Sequence, residues 1–93
     1  MENTDINQVK LLLKSIIVND LDMNIALEDI EDNLSLYEDG IGLDSINVVN
    51  FLVLIEDRFN IKLEGNEINS TVFGSINSIA KHITPKLGGK IQH

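Results

Sequence analysis

Residues 40–59 read GIGLDSINVVNFLVLIEDRF, and this stretch decides the fold. After Gly42 it holds no glycine or proline, and its apolar residues keep a helical period. At about 100° per residue, Val48, Phe51, Leu52, Ile55 and Phe59 gather on one face, with Val49 at its edge. Asn47, Asn50, Asp57 and Arg58 occupy much of the opposite arc. The pattern predicts a helix over 45–59 that buries one stripe. Ile46, Val53 and Leu54 fall near or within the polar arc, where burial inside a monomer is hard to arrange. Ser45 stands at the start of this helix and is a natural N-cap.

Working outward, residues 4–18 predict a first helix. Ile6, Val9, Leu12, Leu13, Ile16 and Ile17 fall at three- and four-residue spacings, and Thr4 or Asn3 can cap the start. Asp5 suits the positive end of the helix dipole. Residues 19–44 read as a long loop, an uncommon feature in a small domain and often a functional one. Leu34, Leu36, Ile41 and Leu43 are expected to pin it, with a short helical turn near Ala26–Ile30. Gly40 and Gly42 supply backbone freedom for a turn just before Asp44. Beyond Phe59, Ile61 and Leu63 are expected anchors, and Glu64–Asn69 a single turn with Ile68 inward. A final helix over 71–83 rests on Val72, Ile76, Ile79 and Ile83, capped by Ser70 or Thr71 and stopped by Pro85. The expected fold is all-α: a small four-helix bundle of three main helices plus one short helix, with a long first loop. Residues 1–84 form the domain and 85–93 a flexible C-terminal tail.

The chain has 93 residues, which suits one modest core. Aromatics are 4% of the sequence, so aliphatic residues must fill it. There is no Cys, which excludes a disulfide framework, a thiolate metal site and a cysteine nucleophile. With His82 and His93 the only histidines, no histidine-built metal or triad site is expected. No window is long and apolar enough to span a membrane, and the first residues carry no basic export signal. The expectation is a cytoplasmic monomer without membrane insertion.

Net charge is −8, unevenly spread. Between Lys14 and Arg58 lie eleven acids and no base, while the remainder carries +3. That field repels phosphate backbones, so no nucleic-acid partner is expected, and it attracts proteins with basic patches. Self-repulsion among the acids predicts that lower pH or divalent cations stabilise the domain.

Ser45 admits two readings. It can serve only as a helix cap. Its hydroxyl can also carry a covalent group, and a helix N-terminus suits a phosphate ester because unpaired N–H groups and the dipole favour negative charge there. No histidine or lysine lies nearby in sequence, and Asp44 is a weak base, so a modifying enzyme must supply the activation.

Asp44-Ser45-Ile46, preceded by Gly40-Ile41-Gly42-Leu43 and followed by a helix ending Glu56-Asp57-Arg58-Phe59, resembles the acyl carrier proteins. Their signature is a Gly-x-Asp-Ser-Leu-type motif at the start of the second helix, and Thr71-Val72 before the last helix extends the likeness. It covers roughly residues 5–84. The resemblance implies a four-helix bundle whose serine, here Ser45, receives 4′-phosphopantetheine from coenzyme A through a Mg²⁺-dependent phosphopantetheinyl transferase. The arm's thiol then holds acyl groups as thioesters, and the carrier itself is not an enzyme. Asp44 would be the motif acid beside the attachment point, engaged by the transferase or its metal ion. The implied partners are acyl-transferring, condensing or acyl-activating enzymes of fatty acid, lipid or polyketide-type biosynthesis, with basic or apolar docking patches. Ile46, Asn47, Asn50, Val53, Leu54 and Asp57 would form the docking face.

Some positions depart from the family pattern. Ile46 replaces the usual Leu. Asn47 and Asn50 stand where acids are common, and Arg58 interrupts the acidic end. These changes suggest a specialised carrier with more apolar docking. An aminoacyl or peptidyl carrier shares the same serine motif.

Two other readings compete. Asp20, Asp22 and Asn24 with Glu31 follow part of the EF-hand spacing, but Ile25 stands where the calcium loop needs Gly, so a calcium-binding module fits poorly. A helical interaction module with Ser45 as a plain cap is the other. His82 is expected to do no more than favour a helix C-terminus, and Tyr37 to anchor packing.

Overall fold

A computed structural model describes residues 6–21, 23–37 and 39–91, with side chains through Leu87. The expected caps Asn3 and Thr4, together with Asp5, Asp22, Glu38 and His93, lie outside the described residues. Three helices organise the chain: α1 (Ile6–Ser15), α2 (Ser45–Phe59) and α3 (Ile76–Ile91). No strand occurs among the described residues, so the all-α expectation holds. In place of a short fourth helix stand a 3₁₀ turn at Gly65–Glu67 and a single turn near 70–74, closed by Phe73 N–H to the Asn69 carbonyl at 2.9 Å.

The first helix continues past Ser15 as a π-helical turn, Ile16–Asp20, where the periodicity predicts α-helix to residue 18. The Leu21 N–H reaches the Ile16 carbonyl five residues back at 2.9 Å. A wider turn brings consecutive side chains closer in angle, and both Ile16 and Ile17 are fully buried. Leu12, expected in the buried stripe, sits at its edge and is exposed along with Leu11.

The core joins Val9, Leu13, Ile16 and Ile17 to Phe51 and Ile55 of α2, and to Phe73, Ile76, Ile79 and Ile83 from the last third of the chain. α1 packs on α3, and α2 meets the π turn. Ile61 and Leu63 are buried anchors as expected, whereas Ile68 points outward.

The long loop is stapled down rather than free. Ile30, Leu36 and Leu43 are buried; Leu34 and Ile41 are half-buried. A 3₁₀ turn forms at Leu27–Asp29, where a helical turn was expected. The Asp32 carboxylate takes Lys14 at 2.9 Å and Lys10 at 3.1 Å, both from α1. Two backbone bonds tie the loop to the start of α3: Asn77 N–H to the Asp32 carbonyl at 2.8 Å, and Leu36 N–H to the Gly74 carbonyl at 3.0 Å. A buried loop must find such partners for its polar backbone.

Helix α3 begins later and ends later than its sequence predicts. Neither Ser70 nor Thr71 caps it. Ser75 Oγ accepts the Ser78 N–H at 3.2 Å, and Ser78 Oγ accepts the Ser75 N–H at 3.1 Å, a reciprocal cap. Asn69 Oδ1 instead accepts the Val72 N–H at 2.9 Å and so starts the preceding turn. Pro85 does not stop the helix, which runs through it to Ile91. An interior proline costs about 3 kcal/mol. Burial of Leu87 and the Lys86–Glu67 ion pair at 2.9 Å act against that cost, so packed structure extends past the expected tail boundary at 85.

Candidate attachment site

The turn before α2 is a closed hairpin of hydrogen bonds. The Ser35 carbonyl accepts the Ile41 N–H at 2.8 Å, the Tyr37 carbonyl accepts Gly40 and Gly42, and the Leu36 carbonyl accepts Leu43 at 2.8 Å. Burial of Leu36 and Leu43 fixes both legs. Gly40 lies against the Ser35 carbonyl where a Cβ has no room, and Gly42 has φ +96°, the left-handed region. The glycines therefore build one defined turn that delivers the chain to Asp44.

Asp44, not Ser45, caps α2. Its backbone is extended (φ −91°, ψ −178°), and Oδ1 accepts the Asn47 N–H at 2.8 Å. Its carbonyl accepts the Val48 N–H at 2.9 Å. Ser45 is thus the first helical residue. Its side chain is exposed, and its hydroxyl makes no hydrogen bond among the described residues. Both Asp and Ser are strong caps, so local preference cannot separate registers one residue apart.

Beside Ser45 lies an open depression of about 610 Å³, lined by Tyr37, Asp39, Leu43, Asp44 and Ser45. Tyr37, expected only as a packing anchor, is half-buried at its wall. The lining carries two carboxylates and no base stronger than a carboxylate. Among the described lining residues no side chain is a strong enough base to deprotonate a serine hydroxyl. The N-terminal end of α2 offers unpaired N–H groups to a phosphate ester on Ser45. A free, exposed hydroxyl at that end fits a phosphodiester-linked arm without displacing any structural bond.

The expected docking residues divide by exposure. Ile46 is 70% exposed and Val53 54%, with Asn50 and Asp57 also exposed. Asn47 and Leu54 are half-buried, and Leu54 packs against the core rather than standing clear of it. On this side a second groove of about 330 Å³ runs between the end of the π turn and α2, lined by Asp20, Leu21, Asn47, Asn50, Val53 and Leu54. Arg58 closes on Asp20 at 2.7 Å. This groove has no signature in sequence, because Asp20 and Leu21 precede α2 by more than twenty residues.

The Asp20–Arg58 pair also occupies the first acid of the calcium-like spacing, and among the described residues no group of three His, Cys, Asp or Glu side chains is placed to hold a metal. His82 does more than expected. Its Nε2 lies 2.6 Å from Glu67 Oε1, and the helix terminus is nine residues further on. Lys86, the Glu64 N–H and His82 all converge on Glu67, and they lower its pKa to about 2, Lys86 contributing most.

Residues 12–83 match the family described as the phosphopantetheine attachment site. The match spans most of the chain, which belongs to that family. A domain of this kind carries covalently attached 4′-phosphopantetheine, receives it from a phosphopantetheinyl transferase, and meets acyl-handling enzymes. A comparison with curated proteins finds no match.

Proposed function

We propose that Ser45 is the attachment residue and that the chain is a non-catalytic acyl carrier. The observation that supports this most is the Ser45 hydroxyl: exposed, free of hydrogen bonds among the described residues, and at the first residue of α2 in a chain of this family. In the loading step Ser45 Oγ attacks the coenzyme A phosphorus that bears the pantetheine. A P–O bond to Ser45 forms, the P–O bond to the adenosine 3′,5′-bisphosphate portion breaks, and the hydroxyl proton passes to a base of the transferase. Asp44 stands beside the reacting oxygen and can meet the transferase or its Mg²⁺. The arm, once attached, supplies a thiol that holds acyl groups as thioesters.

The chain's own contribution is presentation. Leu36 and Leu43 hold the turn, Asp44 holds the helix end, and Ser45 stands clear. Ile46, Asn47, Asn50, Val53, Leu54 and Asp57 form the docking face. That face is largely neutral: Asn47 and Asn50 carry no charge, and Arg58 is tied to Asp20. The exposed acids Glu28, Asp29, Glu31 and Asp39 lie in the loop instead. Such a surface suits acyl-transferring, condensing or acyl-activating partners with apolar patches at the centre and basic groups at the rim. The setting is cytoplasmic fatty acid, lipid or polyketide-type biosynthesis.

The test is digestion of protein recovered from its native host, with tandem mass spectrometry of the peptide holding Ser45. The arm, with or without an acyl thioester, is expected on that residue. A peptide found only with a bare serine overturns the proposal.

A further inference from the structure

Ser45 is covalently part of α2, yet the backbone bonds that hold its approach lead to the start of α3. We infer that Gly74 and Leu36 are positioning residues for the loading of Ser45, an inference that rests on Ser45 as the attachment residue.

The connection runs through backbone alone. The Gly74 carbonyl accepts the Leu36 N–H at 3.0 Å, the Leu36 carbonyl accepts the Leu43 N–H at 2.8 Å, and Leu43 leads through Asp44 to Ser45. Leu36 thus uses both of its polar backbone groups to join the two ends. Leu36 and Leu43 are buried, so water replaces neither bond unless the loop leaves the core. The far end is anchored. Phe73, beside Gly74, is buried, and the reciprocal bonds of Ser75 and Ser78 fix the first turn of α3. Asn77 adds a parallel tie: its N–H reaches the Asp32 carbonyl at 2.8 Å, and its side-chain amide donates to Asn33 Oδ1 at 3.1 Å.

Helix α2 does not fix its own first residue. The N–H groups of a first turn have no intrahelical partner, and Asp44 Oδ1 satisfies the one at Asn47. The preceding turn sets the direction in which the chain enters, and the Leu36–Gly74 bond sets that turn against another element. Attack of a hydroxyl on phosphorus is sensitive to such placement: a shift of about 1 Å costs on the order of a hundredfold in rate.

Gly74 leaves no room for adjustment. A Cβ there would stand 2.7 Å from the Ser70 carbonyl oxygen, so a side chain displaces the turn that carries the Gly74 carbonyl. Its φ is not in the left-handed region, so close approach alone demands the glycine. Gly65 is a natural contrast. It lies in the same connection between α2 and α3, and a Cβ there meets nothing within 4 Å.

The experiment measures steady-state loading of the full chain by coenzyme A, Mg²⁺ and a broad-specificity transferase, with the chain as the varied substrate. Gly74→Ala is compared with Gly65→Ala and with Ile83→Val, which thins the buried core without touching these bonds. Gly74→Ala is expected to lower kcat roughly tenfold or more and to leave KM for the chain within about twofold, because Ile46, Val49 and Val53 on α2 are untouched. The Leu36 and Leu43 amides lose hydrogen-exchange protection in the same variant. Gly65→Ala and Ile83→Val retain the wild-type kcat. A wild-type kcat in folded Gly74→Ala, or an equal loss in Ile83→Val, overturns the positioning role and leaves the carrier reading intact. Should Gly74→Ala fail to fold, hydrogen exchange in the wild-type chain decides. The Leu36, Leu43 and Asn77 amides are expected to open as one unit, and Leu43 exchanging roughly tenfold or more faster than Leu36 overturns the role. A wild-type chain that accepts no phosphopantetheine overturns Ser45 as the attachment residue and this role with it.

Discussion

The Asp44 carboxylate accepts the Asn47 backbone N–H at 2.8 Å, and that bond relieves Ser45 of any part in capping α2. Structure and chemistry are therefore divided between adjacent residues. Asp44→Ala is expected to cost about 1 kcal/mol of stability, as loss of an N-cap does. Ser45→Ala is expected to change stability by less than about 0.5 kcal/mol, as an exposed substitution does, while abolishing loading. Asp44→Asn retains a good cap and removes the charge, so its stability stays near wild type. Chemical denaturation followed by circular dichroism reads all three. A large loss in Ser45→Ala alone would return the capping role to the serine.

The turn before α2 depends on its glycines. Gly40→Ala forces a Cβ against the Ser35 carbonyl, and Gly42→Ala must hold φ near +96°. Each is expected to destabilise by about 1–3 kcal/mol and to slow loading of Ser45, since the turn sets where the serine stands. Loading at the wild-type rate in a destabilised Gly40→Ala protein would show that the turn does not position Ser45.

Ile46→Asp and Val53→Asp are expected to leave the melting temperature within a few degrees of wild type, because both side chains are mostly exposed. Phe51→Ala, at the fully buried face of the same helix, is expected to cost about 3–5 kcal/mol. Partner affinity measured by titration calorimetry should fall in the first two. Unfolding of either Asp variant would show that the outward face has been misassigned.

Acidification acts on two named carboxylates. Glu67 is lowered from 4.5 to about 2 by Lys86, the Glu64 N–H and His82, and Asp32 is lowered from 3.8 by Lys14 and then Lys10. A carboxylate with a depressed folded-state pKa stabilises the fold above its unfolded value, and that stability is lost as pH falls through the folded value. The stability gap between wild type and Glu67→Gln is thus expected to be open above pH 4.5 and to narrow toward pH 2. This opposes the gain expected from protonating the repelling acids, so divalent cations are the cleaner stabiliser. A gap independent of pH across that window would show that Glu67 does not hold the Gly65–Glu67 turn to α3.

The span of helix α2 was legible, because its buried residues keep one helical period, but its cap was not: the sequence offers Ser45, and the structure uses Asp44. The buried anchors Leu36, Leu43, Ile61 and Leu63 and the turn at Gly40–Gly42 were legible for the same local reasons. The start of α3 was not. Ser70, Thr71, Ser75 and Ser78 all suit caps, and the choice coincides with a tertiary bond, Leu36 N–H to the Gly74 carbonyl. The passage through Pro85 was hidden because Leu87 and Lys86 act through distant partners. Glu67 and His82 are fifteen residues apart with no periodic relation, so their pairing appears only in three dimensions. Ser45 was singled out by its motif, but its freedom from capping required the geometry of Asp44.

The most direct measurement is intact mass of the purified chain after incubation with coenzyme A, Mg²⁺ and a broad-specificity phosphopantetheinyl transferase, in parallel with Ser45→Ala. One phosphopantetheine on the wild-type chain and none on the variant is the expected result. A wild-type chain that stays unmodified, or a variant that gains the same mass, contradicts Ser45 as the carrier's covalent handle.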